Sequence, residues 1–143
     1  MTLFVDPDRA QFDAFKALDR DTELNMLNLV KFNDLAKYPG DHDLARDGLT
    51  GAEAYANYGR YSGPVLKKVG GSILWRGSFE AGLIGPSEEV WDAMFIARYP
   101  NAHAFLAMIA DPAYQLAVVH RQAAVQTSRL IRTQPAAVTD VFG

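Results

Sequence analysis

The chain has no cysteine. That absence excludes disulfides, thiolate zinc sites, iron–sulfur clusters and a cysteine nucleophile. It has no excess of positive charge either. Lys and Arg total 14 against 17 Asp and Glu, a formal net charge of -3, so the basic stripe of a nucleic-acid partner is missing. No apolar run reaches the roughly 18 residues a membrane helix needs. The opening MTLFVDPDRA places acids where a secretory signal places bases, and it lacks an apolar stretch. Histidine is scarce, at three, with no H-x-x-H, H-E-x-x-H or carboxylate cluster, so no metal site is expected. The phosphate-cradling glycine motifs and the G-x-S-x-G elbow are also missing, which removes nucleotide cofactors and a serine hydrolase. What is present is 49% hydrophobic and 11% aromatic residues. The expectation is one soluble, cytoplasmic domain over residues 1–143. A chain of this size buries about 68–70% of its unfolded surface and holds a core without staples.

Local patterns divide the chain. Asp6-Pro7 predicts a helix start, cap acceptor then proline, with Phe12, Phe15 and Leu18 as its apolar stripe over about 7–18. Leu24 to Phe32 predicts a strand that is apolar on both faces, and Asn28 stands among Leu24, Met26, Val30 and Phe32. Residues 33–49 read as a long, charged, exposed loop, an insertion or a lid. Thr50-Gly51-Ala52-Glu53 is a capping box. The helix after it carries Ala54, Tyr58, Tyr61 and Val65, with Tyr55 widening the stripe, and Gly63-Pro64 is expected to kink or break it.

Ser72 to Phe79 alternates as a strand, with Ile73, Trp75, Gly77 and Phe79 on one face. Trp91 to Tyr99 is a second strand, expected to pair with it as a wide antiparallel hairpin. Asn101 and then Asp111-Pro112 open two further helical segments, the second reaching about Gln126. Ser128 to Thr133 is the last strand, and 135–143 a tail. With the core over about 24–133, the order after the first helix is β-α-β-β-α-β, the split-βαβ of a ferredoxin-like plait. The fold class is therefore α+β, one four-stranded antiparallel sheet with helices on one face. Trp75, Trp91, Phe95 and many aliphatics are too many for a wet second face. A second copy of the chain, sheet against sheet, is the expected cover.

The chemistry is left to His, Asn, Arg and Tyr. His120 falls on a stripe with Leu116, Ala123 and Ala124. Such a residue serves as a general base, as an axial ligand, or more often as a hydrogen-bonded packing group. Asn28 in the sheet must satisfy two donors and an acceptor, through a cavity ligand or through a neighbouring element. Trp75 walls a cleft or fills a dimer core. Tyr58, with Tyr55 and Tyr61, edges a pocket or packs with a wet tip. Arg121 shares a helix face with Tyr114, Ala117 and Val125. Arg76, Arg98, Arg129 and Arg132 lie on strands. An arginine aimed into a pocket clamps a carboxylate; one on a wet face pairs across strands.

The C-terminal half resembles the family known as domain of unknown function 1330 (DUF1330). The features that carry the resemblance are Tyr99-Pro100, the Phe105 helix and Asp111-Pro112-Ala113-Tyr114. They continue in Arg121-Gln122-Ala123-Ala124, in Ser128-Arg129-Leu130, and in the Gly70-Gly71 turn into SILWRG. The resemblance runs from about Leu24 to Thr133, and the loop 33–49 and the first helix depart from the compact pattern. It implies a dimeric α+β barrel and no settled activity. The wider superfamily holds cofactor-independent monooxygenases, haem-degrading enzymes, isomerases and regulatory modules.

Three functions are therefore weighed. One is an enzyme of monooxygenase or isomerase type on a small apolar or aromatic ligand. In it His120 abstracts a proton, Asn28 or Arg129 stabilises the oxyanion, and Trp75, Tyr58 and Arg121 bind. The second is a non-catalytic ligand-binding or dimerisation module. The third is a haem binder with His120 as axial ligand; no other cofactor is expected.

Overall fold

The computed structural model describes residues 2–143. Its elements are α1 (Arg9–Ala17), β1 (Leu24–Phe32), α2 (Gly51–Lys68), β2 (Ser72–Gly77), β3 (Ala93–Tyr99), α3 (Ala102–Ala110), α4 (Pro112–Ala124) and β4 (Val125–Thr133). The four strands form one antiparallel sheet in the order β2-β3-β1-β4. That is the α+β, ferredoxin-like arrangement the sequence predicts, with α1 added before it.

The caps explain most element starts. Thr50 accepts from the Glu53 N–H at 3.1 Å while the Glu53 carboxylate accepts from the Thr50 N–H at 3.0 Å, a box that stabilises a helix by ~1 kcal/mol. Asn101 and Asp111 cap α3 and α4 as expected. The start of α1 differs. Asp8 is its cap, accepting from the Gln11 N–H at 2.7 Å, so Asp6-Pro7 precede the helix. The helix α2 also differs, because it runs unbroken through Pro64. Both Pro64 and Arg60, whose carbonyl loses its helical partner, lie on the exposed side, where water satisfies that carbonyl.

The junction of α4 and β4 falls earlier than the pattern suggests. The carbonyls of Ala123 and Ala124 accept from the Lys37 and Asn33 N–H groups at 2.8 and 2.7 Å, so the helix ends there and Val125 opens the strand. The loop 33–49 is thus tied to α4 rather than swinging as a lid. It is also bridged through Leu35 and Thr50.

The two faces of the sheet differ. Leu24, Met26, Ala97 and Tyr99 face the helices and pack with Val65, Phe105, Met108 and Tyr114. Leu27, Leu29, Met94 and Ile96 alternate with them on the opposite face, which no element covers. A bulge between Ile73 and Trp75 shifts the register of β2. Ile73 therefore joins the helix side and Trp75 the open side, where strict alternation puts both on one face. Trp75 lies over Gly77, whose missing Cβ would come within 2.5 Å of the indole ring.

Candidate functional site

The helices do not seal the sheet. A cleft of about 1730 Å³ lies between them, floored by Met26, Asn28, Phe95 and Ala97 and walled by α1, α2 and α4. Small-molecule sites usually span ~300–1,000 Å³, so this one accepts a multi-ring or long-chain body.

One wall is aromatic. The rings of Phe32 and Tyr55 stand 4.9 Å apart, those of Tyr55 and Tyr58 5.4 Å, and those of Tyr58 and Tyr114 6.1 Å. The hydroxyls of Tyr58 and Tyr114 are hydrogen-bonded at 3.0 Å. Burial raises the pKa of Tyr55 and of Tyr114 well above the ordinary phenol value, so these phenols stay neutral and serve as donors and stacking surfaces. The sequence singled out Tyr58. It did not single out Tyr114, whose side is fixed only by how α4 packs on α2.

The polar groups come from other elements. Asn28 donates to the Met26 carbonyl at 3.1 Å, and its Oδ1 takes no hydrogen bond among the described residues, so it offers the cleft an acceptor. Arg121 donates through Nη1 to the Val5 carbonyl at 2.6 Å and through Nη2 to Ser128 Oγ at 3.2 Å. These bonds tie the N-terminal segment to α4 and β4 as one end of the cleft. Arg76 lines the cleft from β2 beside Phe95.

His120 is elsewhere. It is 8% exposed and faces the loop 33–49. Leu116 is 76% exposed, so the buried side of α4 keeps His120, Ala123 and Ala124 and takes Tyr114 and Ala117 in place of Leu116. Nδ1 of His120 is 2.7 Å from the Tyr38 hydroxyl. Tyr61 stacks on its ring at 5.1 Å, and His42 stands edge-on at 5.7 Å. A porphyrin would have to displace these groups. The structure therefore does not bring His120 together with Asn28, and a proton abstraction shared between them has no geometry here.

Burial, with the charges of His42 and Arg60, holds the His120 pKa below the ordinary 6.5. The unfolded chain then binds the proton first. Its stabilising contribution is full above about pH 6.5 and drains as pH falls through the lowered folded value. We expect His120→Gln to flatten the loss of thermal stability between pH 6.5 and 5, measured by unfolding midpoints. An unchanged slope would show that another group carries it.

Arg129 borders the cleft, but its guanidinium lies over the rings of Phe4 and Trp91 at 5.1 and 5.4 Å and pairs with Glu89 at 3.5 Å. Trp75 stands on the open face, outside the cleft lining. Of the six residues the sequence put forward, Asn28, Tyr58 and Arg121 share the cleft lining with unoccupied polar or aromatic surface. Arg129 reaches it already engaged, and His120 and Trp75 do not reach it. Among the described residues no group of three His, Cys, Asp or Glu is placed to hold a metal ion. No single helix is long and apolar enough to cross a membrane.

Similar proteins place the chain. A crystal structure of a protein of unknown function from Rhodopseudomonas palustris is 51% identical, with a TM-score of 0.88 over 96% of this chain and 100% of that one. The cofactor-independent oxygenase SnoaB from Streptomyces nogalater is 13% identical, with a TM-score of 0.52 over 84% of this chain and 99% of that one. A NIPSNAP-like domain protein from Burkholderia xenovorans, 13% identical, also gives 0.52, over 86% of this chain and 93% of that one. These last two likenesses show a shared fold alone. No curated protein matches the chain. The family described as Domain of unknown function (DUF1330) matches residues 44–133, ending where β4 ends and leaving out β1, which the resemblance in the sequence had included. On that match and on the 51% identity with the Rhodopseudomonas protein, the chain belongs to the DUF1330 family.

Proposed function

We propose that the protein is a homodimeric small-molecule-binding protein, each protomer holding an apolar or aromatic ligand in its own cleft. The observation that carries this reading is the cleft itself: an aromatic wall of Tyr55, Tyr58 and Tyr114 sharing one lining with the free acceptor of Asn28. Apolar walls with a few convergent polar groups are what a ligand site requires. Catalysis of the monooxygenase or isomerase type is not part of this reading, because His120, the general base the sequence offered for it, lies outside the cleft lining.

The dimer follows from the open face. Leu27, Leu29, Met94 and Ile96 form its centre, with Trp75 and Ile131 46% and 47% exposed beside them. A flat apolar sheet face is self-complementary under a two-fold axis, so a second copy is its natural cover. Neutral aromatic fragments titrated into labelled protein are expected to shift amide signals of Asn28, Tyr55, Tyr58 and Tyr114. Shifts confined to the open face, or none, would defeat the binding assignment.

A further inference from the structure

Two guanidiniums of the cleft lining, Arg121 and Arg76, have no carboxylate partner among the described residues. Arg121 has five N–H donors, and only two are used, both on uncharged acceptors. Arg76 makes no hydrogen bond or ion pair among the described residues. The carboxylates that share the lining are engaged elsewhere. Asp8 caps α1 at 2.7 Å, Asp92 accepts from the Phe32 N–H at 2.8 Å, and Asp6 accepts from the Gln122 amide at 3.3 Å. Arg132, the other unpaired guanidinium of the lining, is committed to the Phe15 and Asp19 carbonyls at the end of α1, where a cation complements the helix dipole.

Both free guanidiniums line the same cleft. Arg76 on β2 stands opposite Phe95 of the floor, and Arg121 on α4 is bonded to Ser128, which also lines it. Arg121 is half-buried, where a guanidinium gains most from a counter-charge, and Arg76 is exposed and free to move onto one. A guanidinium meets a carboxylate through parallel N–H···O bonds, which a lysine does not offer. The apolar floor and stacked rings then call for an apolar body, since a bare inorganic anion would leave them wet.

We propose that the ligand is an organic acid with a flat apolar body, its carboxylate held between Arg121 and Arg76 and its body against Tyr55 and Tyr58. This rests on the small-molecule reading of the cleft and adds the charge class. Isothermal titration with 2-naphthoate and 2-naphthamide, which match in shape and differ in charge, tests it. The naphthoate is expected to bind at least tenfold more tightly. Arg76→Met is expected to weaken naphthoate at least fivefold and leave naphthamide unchanged. Because Arg76 holds nothing else in place, that loss is not one of folding. Arg121→Lys, which keeps the charge and loses the fork, is expected to weaken naphthoate more than naphthamide. Equal affinities for the two compounds, or an equal effect of Arg76→Met on both, would overturn the acid assignment and leave the small-molecule reading standing. Failure of both compounds to bind would remove that reading and the acid assignment with it.

Discussion

Ile96→Asp is expected to sediment as a monomer of about 15.8 kDa at ~10 µM protein, where the proposed homodimer has twice that mass. Ile96 pairs with Leu27 on one side and Trp75 on the other, at the middle of the uncovered sheet face. In the proposed two-fold seam this position would be central. A carboxylate buried there without a partner is unfavourable by several kcal/mol, and each 1.4 kcal/mol is a tenfold change in Kd. An increase in Kd of about a thousandfold follows. The fold itself is expected to survive, because the side chain at 96 points away from the core that Ala97 and Tyr99 enter. Circular dichroism checks that point. A folded Ile96→Asp variant that still sediments as a dimer would place the interface somewhere other than the sheet.

Gly51→Ala is expected to lower stability by roughly 3 kcal/mol or more, while Gly59→Ala in the same helix is expected to raise it by up to ~1 kcal/mol. The two substitutions add the same methyl group. At position 51 that group would stand 2.0 Å from the Asn33 carbonyl oxygen and 3.0 Å from two more backbone atoms of Asn33. Asn33 is not free to retreat. Its N–H donates to the Ala124 carbonyl at 2.7 Å and its side chain to the Ala123 carbonyl at 3.1 Å. Moving it breaks the bonds that end α4. At position 59 the added methyl meets nothing within 4 Å, so only the helix propensity changes. For a chain of this length 1 kcal/mol corresponds to ~2–4 °C in Tm. Thermal unfolding of the two variants should therefore differ by about 10 °C. Equal melting temperatures would mean that the start of α2 yields where the structure shows it clamped.

Element order was legible because its signals are local. The Thr50–Glu53 box, the Asn101 and Asp111 caps and the alternation in Leu24–Phe32 each depend on residues within one or two turns. What escaped was set by distant partners. The bulge at Leu74 arises from pairing with β3 and reverses the side on which Trp75 stands. The partners that His120 meets follow from the loop 33–49 folding back onto α4. Nothing in the spacing of charges in that loop announces that Tyr38 and His42 will reach an imidazole 82 and 78 positions along the chain. The cleft was visible only in part for the same reason. Asn28, Tyr58 and Arg121 could be named from their own elements, whereas Tyr114 and the convergence of Arg76 with Arg121 depend on how elements stack.

The two borders of the sheet are both spoiled for lateral growth. Along β4, Phe4 occupies the outer hydrogen-bonding row, accepting from the Ser128 N–H at 2.7 Å and donating to Thr127 Oγ1 at 3.0 Å. Along β2 the bulge between Ile73 and Trp75 breaks the straight ladder that an incoming strand would need. Open-ended, edge-to-edge aggregation is therefore disfavoured at both sides, which leaves the open sheet face as the surface for the proposed pairing.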